Sequence, residues 1–415
     1  MHDSRRLDAA GHVLLFLARL LLEAGSDSEQ VRRRIEALAG RLGFAAQLFL
    51  GSERLLLMVG CDDTYRTRIG HAVGAMGIDA GRLVALEQVA KAMESGSLEI
   101  PAADARLTAI AAGKSSYPGW LTILAVAATA AALAKLFSAS WLVVGAAFLA
   151  GLVNTTLRRA LPRWGVVPAA SAAVTAAISG MVGALPLRLL GADPTFALVA
   201  AGMILVPGVP LINGVRDLVR GHPGIGLARL ANGGMIVLAI AAGLATASLA
   251  TGVHLPVVLQ TPNLSLPWDL LFAAIAAFGF AILFAAPHRA ILPIVLTGAL
   301  AHGSRTALMA AGGDIGLATA SGAMLAGLLA LGIGRRLDAP WTALAFPCVV
   351  AMVPGSYAFR GLIGALDIMR AGPATSPALL AASAAALVGA VMLTIAIGIG
   401  LLLASAIAEA AGARG

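Results

Sequence analysis

The sequence predicts a polytopic α-helical membrane protein, about ten transmembrane helices behind a small soluble α+β N-terminal domain. Three observations carry that reading. Hydrophobic residues make up 59% of the 415 positions, charged residues make up 12%, and apolar stretches of spanning length recur from residue 119 onward. Soluble chains carry roughly a quarter charged residues, so the second half is built for lipid.

Charge divides the chain at the same place. Residues 1–118 hold 14 Lys+Arg and 14 Asp+Glu, whereas 119–415 hold 15 and 7, so the whole net charge of +8 lies in the apolar part. Bases in short turns between apolar spans orient helices in the bilayer, and the high basicity is therefore not read as a nucleic-acid surface. Cys61 and Cys348 are far apart, a spacing that suggests neither a disulfide framework nor a metal site. No cofactor or metal is expected. Arg5-Arg6 ahead of an apolar stretch resembles a twin-arginine start, but Arg19 and Glu23 interrupt it and no small-residue cleavage site follows, so a cleaved signal is not expected.

In the domain 1–118, Val13, Leu14, Leu17, Leu20 and Leu21 recur at helical spacing and predict a core helix ending near Gly25. Ser26 with Glu29 makes a capping box, followed by Val31, Ile35, Leu38 and Leu42 on one face of a second helix that stops at Gly43. Arg32, Arg33 and Arg34 fall mainly on its solvated side. Gln47–Leu50 and Leu55–Val59 flank Gly51-Ser52 and read as a hairpin. Leu83, Leu86, Ala90 and Met93 mark a third helix, and Pro101 opens a fourth. His12, His71, Asp62 and Asp63 assemble no nucleophile, base and orienting group, and lone histidines are more often structural. No enzyme activity is expected.

Membrane spans of 17 to 25 residues fall at 119–137, 139–157, 166–187, 195–213, 232–252, 268–286, 290–309, 315–333, 340–359 and 378–404. The seventh is interrupted by His302, Gly303, Ser304 and Arg305, and is either a full crossing or re-entrant. With the N-terminal domain inside, inner loops hold Arg158, Arg159, Arg163, Arg216, Arg220, Arg229, Arg289, Arg335 and Arg336, while outer loops hold Arg188, Arg305, Arg360 and Arg370. That bias satisfies the positive-inside rule and puts both termini in the cytoplasm. Two modules, 119–260 and 261–415, each of five spans, must then relate as an inverted repeat, an arrangement common in secondary transporters.

Val206-Pro207-Gly208 closes the fourth span and Val353-Pro354-Gly355 the ninth. Proline removes a donor and glycine frees the backbone, and such breaks survive in lipid only where protein or a water-filled cavity satisfies the freed groups. Ordinary helix ends are the plain reading; the repeated position favours broken helices flanking a substrate path. Ser179-Gly180 and Ser321-Gly322 are a weaker echo.

The segment Leu205-Val206-Pro207-Gly208-Val209-Pro210-Leu211-Ile212-Asn213-Gly214-Val215-Arg216-Asp217-Leu218, with Gly221, Gly226 and Arg229-Leu230, resembles the characteristic stretch of the bacterial threonine/serine exporter family. Leu22-Glu23-Ala24-Gly25 before the second helix resembles the start of that family's soluble domain, and Pro340, Pro347 and Val353 to Arg360 resemble its second membrane module. The resemblance implies a cytoplasmic domain fused to two five-helix modules in the bacterial inner membrane, and proton-driven export of threonine, serine or related metabolites. Relatives split over two chains are associated with dicarboxylate export, which keeps a succinate-type substrate open. A channel or a membrane-anchored sensing module is the reading from another class; a channel needs a polar-lined pore that these Ala/Leu-rich spans do not obviously supply. The lipid bilayer is a partner in any of these readings, nucleic acid is not, and a homo-oligomer is compatible with all.

Ionisable groups within spans are functional candidates. Asp217 matches an acidic position in the family-like stretch and either carries the coupled proton or pairs with Arg216 or Arg220 at the membrane surface. Asp314 either is its counterpart or caps its helix. Arg360 suits a substrate carboxylate or anchors a helix at the headgroups. Pro207, Gly208, Pro354 and Gly355 are gating candidates. Asn213, Asn154 and Thr155, with Thr156, can hydrogen-bond a zwitterion, though such groups also join helices. Lys135 at a span end snorkels, and Trp120, Trp141, Trp268 and Trp341 form the expected aromatic belt.

Overall fold

A computed structural model describes residues 2–51, 54–61, 64–70, 78–113, 116–257 and 264–412. His71, Asp62 and Asp63 lie outside the described residues. The first unit contains α1 (His2–Glu23), α2 (Ser28–Arg41), β1 (Ala45–Leu50), β2 (Leu55–Cys61), β3 (Thr64–Gly70), α3 (Ala80–Glu94) and α4 (Ile100–Ala112). The strands form an antiparallel sheet in the order β1-β2-β3, with Leu57 opposite both Leu48 and Arg68. Alternate residues Leu55, Leu57 and Val59 of β2 point into a core shared with Leu14, Leu17 and Leu20 of α1 and Ile35 and Leu38 of α2. β3 goes beyond the expected hairpin. Its Thr64, Tyr65, Arg66 and Thr67 are exposed, so it carries no apolar alternation by which a strand is recognised.

Two local expectations are corrected. The N-cap of α2 is Asp27, whose carboxylate accepts the Gln30 N–H at 2.9 Å; Ser26 stands a residue too early, and Glu29 instead accepts from Arg32 and Arg33. Arg34 is not on the solvated side, because it bridges to Glu87 and Glu94 of α3.

The apolar part comprises α5 (Gly119–Leu136), α6 (Trp141–Ala160), α7 (Pro168–Leu189), α8 (Thr195–Met203), α9 (Gly208–Val219) and α10 (Pro223–Thr251), then α11 (Leu266–Leu283), α12 (His288–Ala310), α13 (Ile315–Leu337), α14 (Trp341–Val349), α15 (Gly355–Ala371) and α16 (Pro377–Gly412). Among the described residues, seven helices are long and apolar enough to cross a membrane, or nine when the bent pairs α8/α9 and α14/α15 each count as one. The chain is a multi-pass helical membrane protein. α12, the interrupted seventh stretch, is one continuous 23-residue helix but stands outside that count.

Neighbour relations run in parallel in the two sets. α5 packs on α6, α6 on α7 and α7 on α10, with α8 lodged against α5, α6 and α7. Likewise α11 packs on α12, α12 on α13 and α13 on α16, with α14 lodged against α11, α12 and α13. The sets meet through α5 on α11, α9 on α16 and α15 on α10.

The two breaks share one local geometry. Pro207 has φ −79° and ψ 66°, Pro354 has φ −79° and ψ 45°, and the following glycine N–H reaches the valine carbonyl two residues back at 2.8 Å in both. This is an inverse γ-turn, which proline's fixed φ and missing N–H favour. The helices bend there by 56° and 47°. The breaks also touch each other: a Cβ on Gly208 would meet Val353 at 2.9 Å, and one on Gly355 would strike Val206. Only glycine allows this reciprocal approach.

Candidate functional site

Beside the second break, named residues from four helices close a cavity of about 140 Å³. α12 presents His302, Arg305 and Thr306, whose i, i+3, i+4 spacing puts them on one face. α15 contributes Ser356, Tyr357 and Arg360 from its first turns, the opening turn of α11 contributes Asp269, and the end of α8 contributes Met203. Asp269 Oδ2 lies 2.9 Å from His302 Nδ1, and its Oδ1 accepts the Thr306 hydroxyl at 3.0 Å. A carboxylate only accepts, so His302 Nδ1 carries the proton of that bond. Arg305 Nε donates to Thr319 Oγ1 at 3.0 Å. Arg360 is buried, donating Nε to Ser356 O at 3.0 Å and Nη1 to Val257 O at 2.7 Å, with its guanidinium 5.3 Å from the Tyr357 ring centre. Among the described residues, the terminal nitrogens of Arg305, Nη2 of Arg360 and Nε2 of His302 have no hydrogen-bond partner. Without partners in the protein, these atoms can donate to or accept from a ligand in the cavity. The volume lies below the roughly 300–1,000 Å³ of sites for drug-sized molecules and suits a ligand of few atoms.

The first break borders a wider cavity of about 670 Å³, lined by Arg158, Pro207, Gly208, Asn232 and Phe280, and reached by Ile78 from the first unit. Next to it, α9 is occupied by the first unit. Asp27, wholly buried, is met by Arg216 Nη2 at 2.7 Å and Arg220 Nη1 at 3.1 Å. Asp217, also wholly buried, pairs with Arg229 at 2.6 Å and accepts the Ser28 N–H at 3.2 Å. Asn213 donates to Gly25 O at 3.1 Å, and Arg229 to Ser26 O at 3.2 Å. Arg216 stacks over Trp341, 5.3 Å from the ring centre. Glu29 stands at the rim, 3.0 Å from His222. Burial opposes its ionisation, but hydrogen bonds from Arg32, His222 and Arg33 outweigh that and bring its carboxyl down to about 2.

The candidates therefore divide. Pro354 and Arg360 line the small cavity, Gly355 packs against Val206, and Pro207 and Gly208 line the wide cavity. Asn213 and Asp217 belong to the contact with the first unit; Asp217 is buried and pairs with Arg229, not with Arg216 or Arg220 at a surface. Asp314 is exposed and caps α13, accepting from Gly316 and Leu317 N–H. Asn154 joins α6 to Ser179 of α7 and to the Ala201 carbonyl of α8, and Thr155 bonds its own helix. Trp120, Trp141 and Trp268 are exposed, but Trp341 is taken up by Arg216. Sequence reasoning passed over Asp269, His302, Arg305 and Thr306. The signal is in the sequence: the polar run at 302–306 that interrupts a span also has the spacing of one polar helix face.

This combination of broken helices, internal cavities and buried ionisable groups in a multi-pass helical protein defines a membrane transporter. The family profile described as "Putative threonine/serine exporter" matches residues 12–251, and a second, "Threonine/Serine exporter, ThrE", matches 269–407. The chain belongs to the threonine/serine exporter family. It is 28% identical over 377 residues to a protein of Mycobacterium tuberculosis named "Probable threonine/serine exporter", covering 87% of this chain and 70% of that one. Two proteins named "Probable succinate transporter subunit YjjP", from Klebsiella aerogenes and Escherichia coli, are 34% and 33% identical over 140 residues, 33% of this chain and 54% and 55% of theirs. No solved structure matches the chain.

Proposed function

We propose that the chain exports threonine, serine or a related small polar organic acid across the bacterial inner membrane, by alternating access driven by the proton gradient. Residues 1–118 are a cytoplasmic domain; 119–260 and 261–415 are five-span modules of opposite orientation, with α12 crossing fully and both termini inside. The observation that carries this reading is the mutual contact of the two Pro-Gly breaks, each bordering its own cavity. Pro207, Gly208, Pro354 and Gly355 act as hinges, and opening one cavity closes the other. Support for the inverted repeat comes from the parallel neighbour relations of the helices and from spacing: Arg158 precedes Arg305, and Pro207 precedes Pro354, by the same 147 positions. Arg305 and Arg360 hold the substrate carboxylate as forked donors. The relatives are named as transporters, and the chain acts as a carrier, not an enzyme.

Inside-out vesicles given an inward-acid gradient should accumulate labelled threonine or serine, and dissipating the gradient should abolish it. Gradient-dependent accumulation of neither amino acid nor succinate would refute the reading. A dicarboxylate substrate is the second reading, favoured by the relatives named for succinate; succinate accumulation exceeding that of threonine would establish it.

A further inference from the structure

The small cavity is lined by groups of opposite character. Arg305 and Arg360 bring unpaired guanidinium nitrogens, which only donate. Asp269 and His302 bring acceptors. Asp269 uses one acceptor site on each oxygen, for His302 and Thr306, and a carboxylate offers about four. With Nδ1–H of His302 committed to Asp269, Nε2 of the neutral ring is an acceptor. A ligand matching the cavity therefore carries an anionic group at one end and a cationic donor at the other, which is the pattern of an α-amino acid and not of a dicarboxylate.

We propose that Asp269 and His302 form the ammonium subsite of this cavity, making it selective for zwitterions, and that protonation of His302 ejects the substrate. This rests on the exporter reading above and names the substrate class and the coupling group. The charged and titratable groups facing the pair are Arg305 of α12 and Tyr357 and Arg360 of α15. Uptake of a proton at Nε2 converts that nitrogen from acceptor to donor and places a third cation near two arginines. The ammonium then loses one acceptor and faces repulsion. One proton enters the site as one zwitterion of zero net charge leaves. Among the described residues, no other histidine–carboxylate contact in the membrane half is buried within it; His222 pairs with Glu29 of the first unit.

The test uses full-length protein in proteoliposomes, with size-exclusion profiles confirming folded material. Competition against labelled threonine by 3-hydroxybutyrate, which is threonine without its ammonium, reads the subsite directly. In wild type, unlabelled threonine should compete better than 3-hydroxybutyrate by on the order of tenfold or more, the scale of a lost charged hydrogen bond; in Asp269→Asn that advantage should vanish. His302→Gln keeps an acceptor but cannot titrate, so threonine-for-threonine exchange should persist while gradient-driven export is lost. A variant D269N that retains the wild-type preference, or H302Q that still exports against a gradient, overturns the proposal. A wild-type protein that moves no amino acid under any condition instead overturns the exporter reading itself.

Discussion

The two Pro-Gly breaks are nearly identical in backbone and opposite in surroundings. Both are inverse γ-turns, and each glycine faces the valine of the other motif. Yet α15, after the second break, gives its first polar residues, Ser356, Tyr357 and Arg360, to a small charged cavity. α9, after the first, gives Asn213, Arg216 and Asp217 to the first unit. Arg360 follows Asn213 by the same 147 positions that separate the breaks, so matching places after the two breaks carry a guanidinium bordering the cavity in one case and a docking amide in the other. Two breaks of like backbone can thus border different chemistry, a charged cavity beside one and the N-terminal unit beside the other.

The largest expected effect breaks the comparison at its shared point. Gly355→Ala places a Cβ against Val206 and should abolish export in well-expressed protein, because buried overpacking in a bistable contact costs about 1 to 3 kcal/mol and both hinges bear it. Adding Val206→Ala removes the obstructing methyls and should restore much of the flux. Failure of the second substitution to rescue, measured as threonine efflux per unit of protein, would mean that the breaks do not move against each other.

A smaller effect on flux, though a larger cost in stability, separates docking from coupling. Removing one partner of a buried ion pair costs about 3 to 5 kcal/mol, and Asp27 is wholly buried between Arg216 and Arg220. Asp27→Ala should therefore undock the first unit, seen as faster proteolysis in the connection between α4 and α5, and should lower both exchange and gradient-driven export. Asp217→Asn should behave likewise through Arg229. Loss of coupled export alone, with exchange and proteolysis unchanged, would instead restore Asp217 as the proton carrier expected from sequence.

The contrast also explains what was legible beforehand. Each of the ten apolar stretches became a helix or a bent pair, because spanning length and composition are local properties. The breaks were legible because proline and glycine act on their own backbone. The partners of Asp217 were not: Ser28 is 189 positions away, and only the docked fold brings it near. Nor did sequence show that Leu22 to Gly25 and the stretch from Leu205 would meet, although both belong to the family-like segments. Asp269 and His302 lie 33 positions apart on consecutive helices, and their pairing required knowing which faces of α11 and α12 meet.

The smallest expected effect concerns the rim of the docking contact, where Glu29 is held at about 2 against an ordinary 4.5. A carboxyl lowered on folding stabilises the folded state fully above its unfolded value, and that contribution is lost as pH falls through the folded one. The window is therefore about pH 4.5 down to about 2. At full value the shift corresponds to roughly 3 kcal/mol, but Arg33 is 64% exposed and Arg32 37%, and solvent screening reduces the expected contribution to about 1 kcal/mol. Trp341 reports the contact, because Arg216 lies over its ring. In a variant keeping Trp341 as its sole tryptophan, emission should shift to the red as pH falls across that window, and Glu29→Gln should remove part of that shift. An identical acid profile in both proteins would show that Glu29 holds its own helix turn together and contributes nothing to docking.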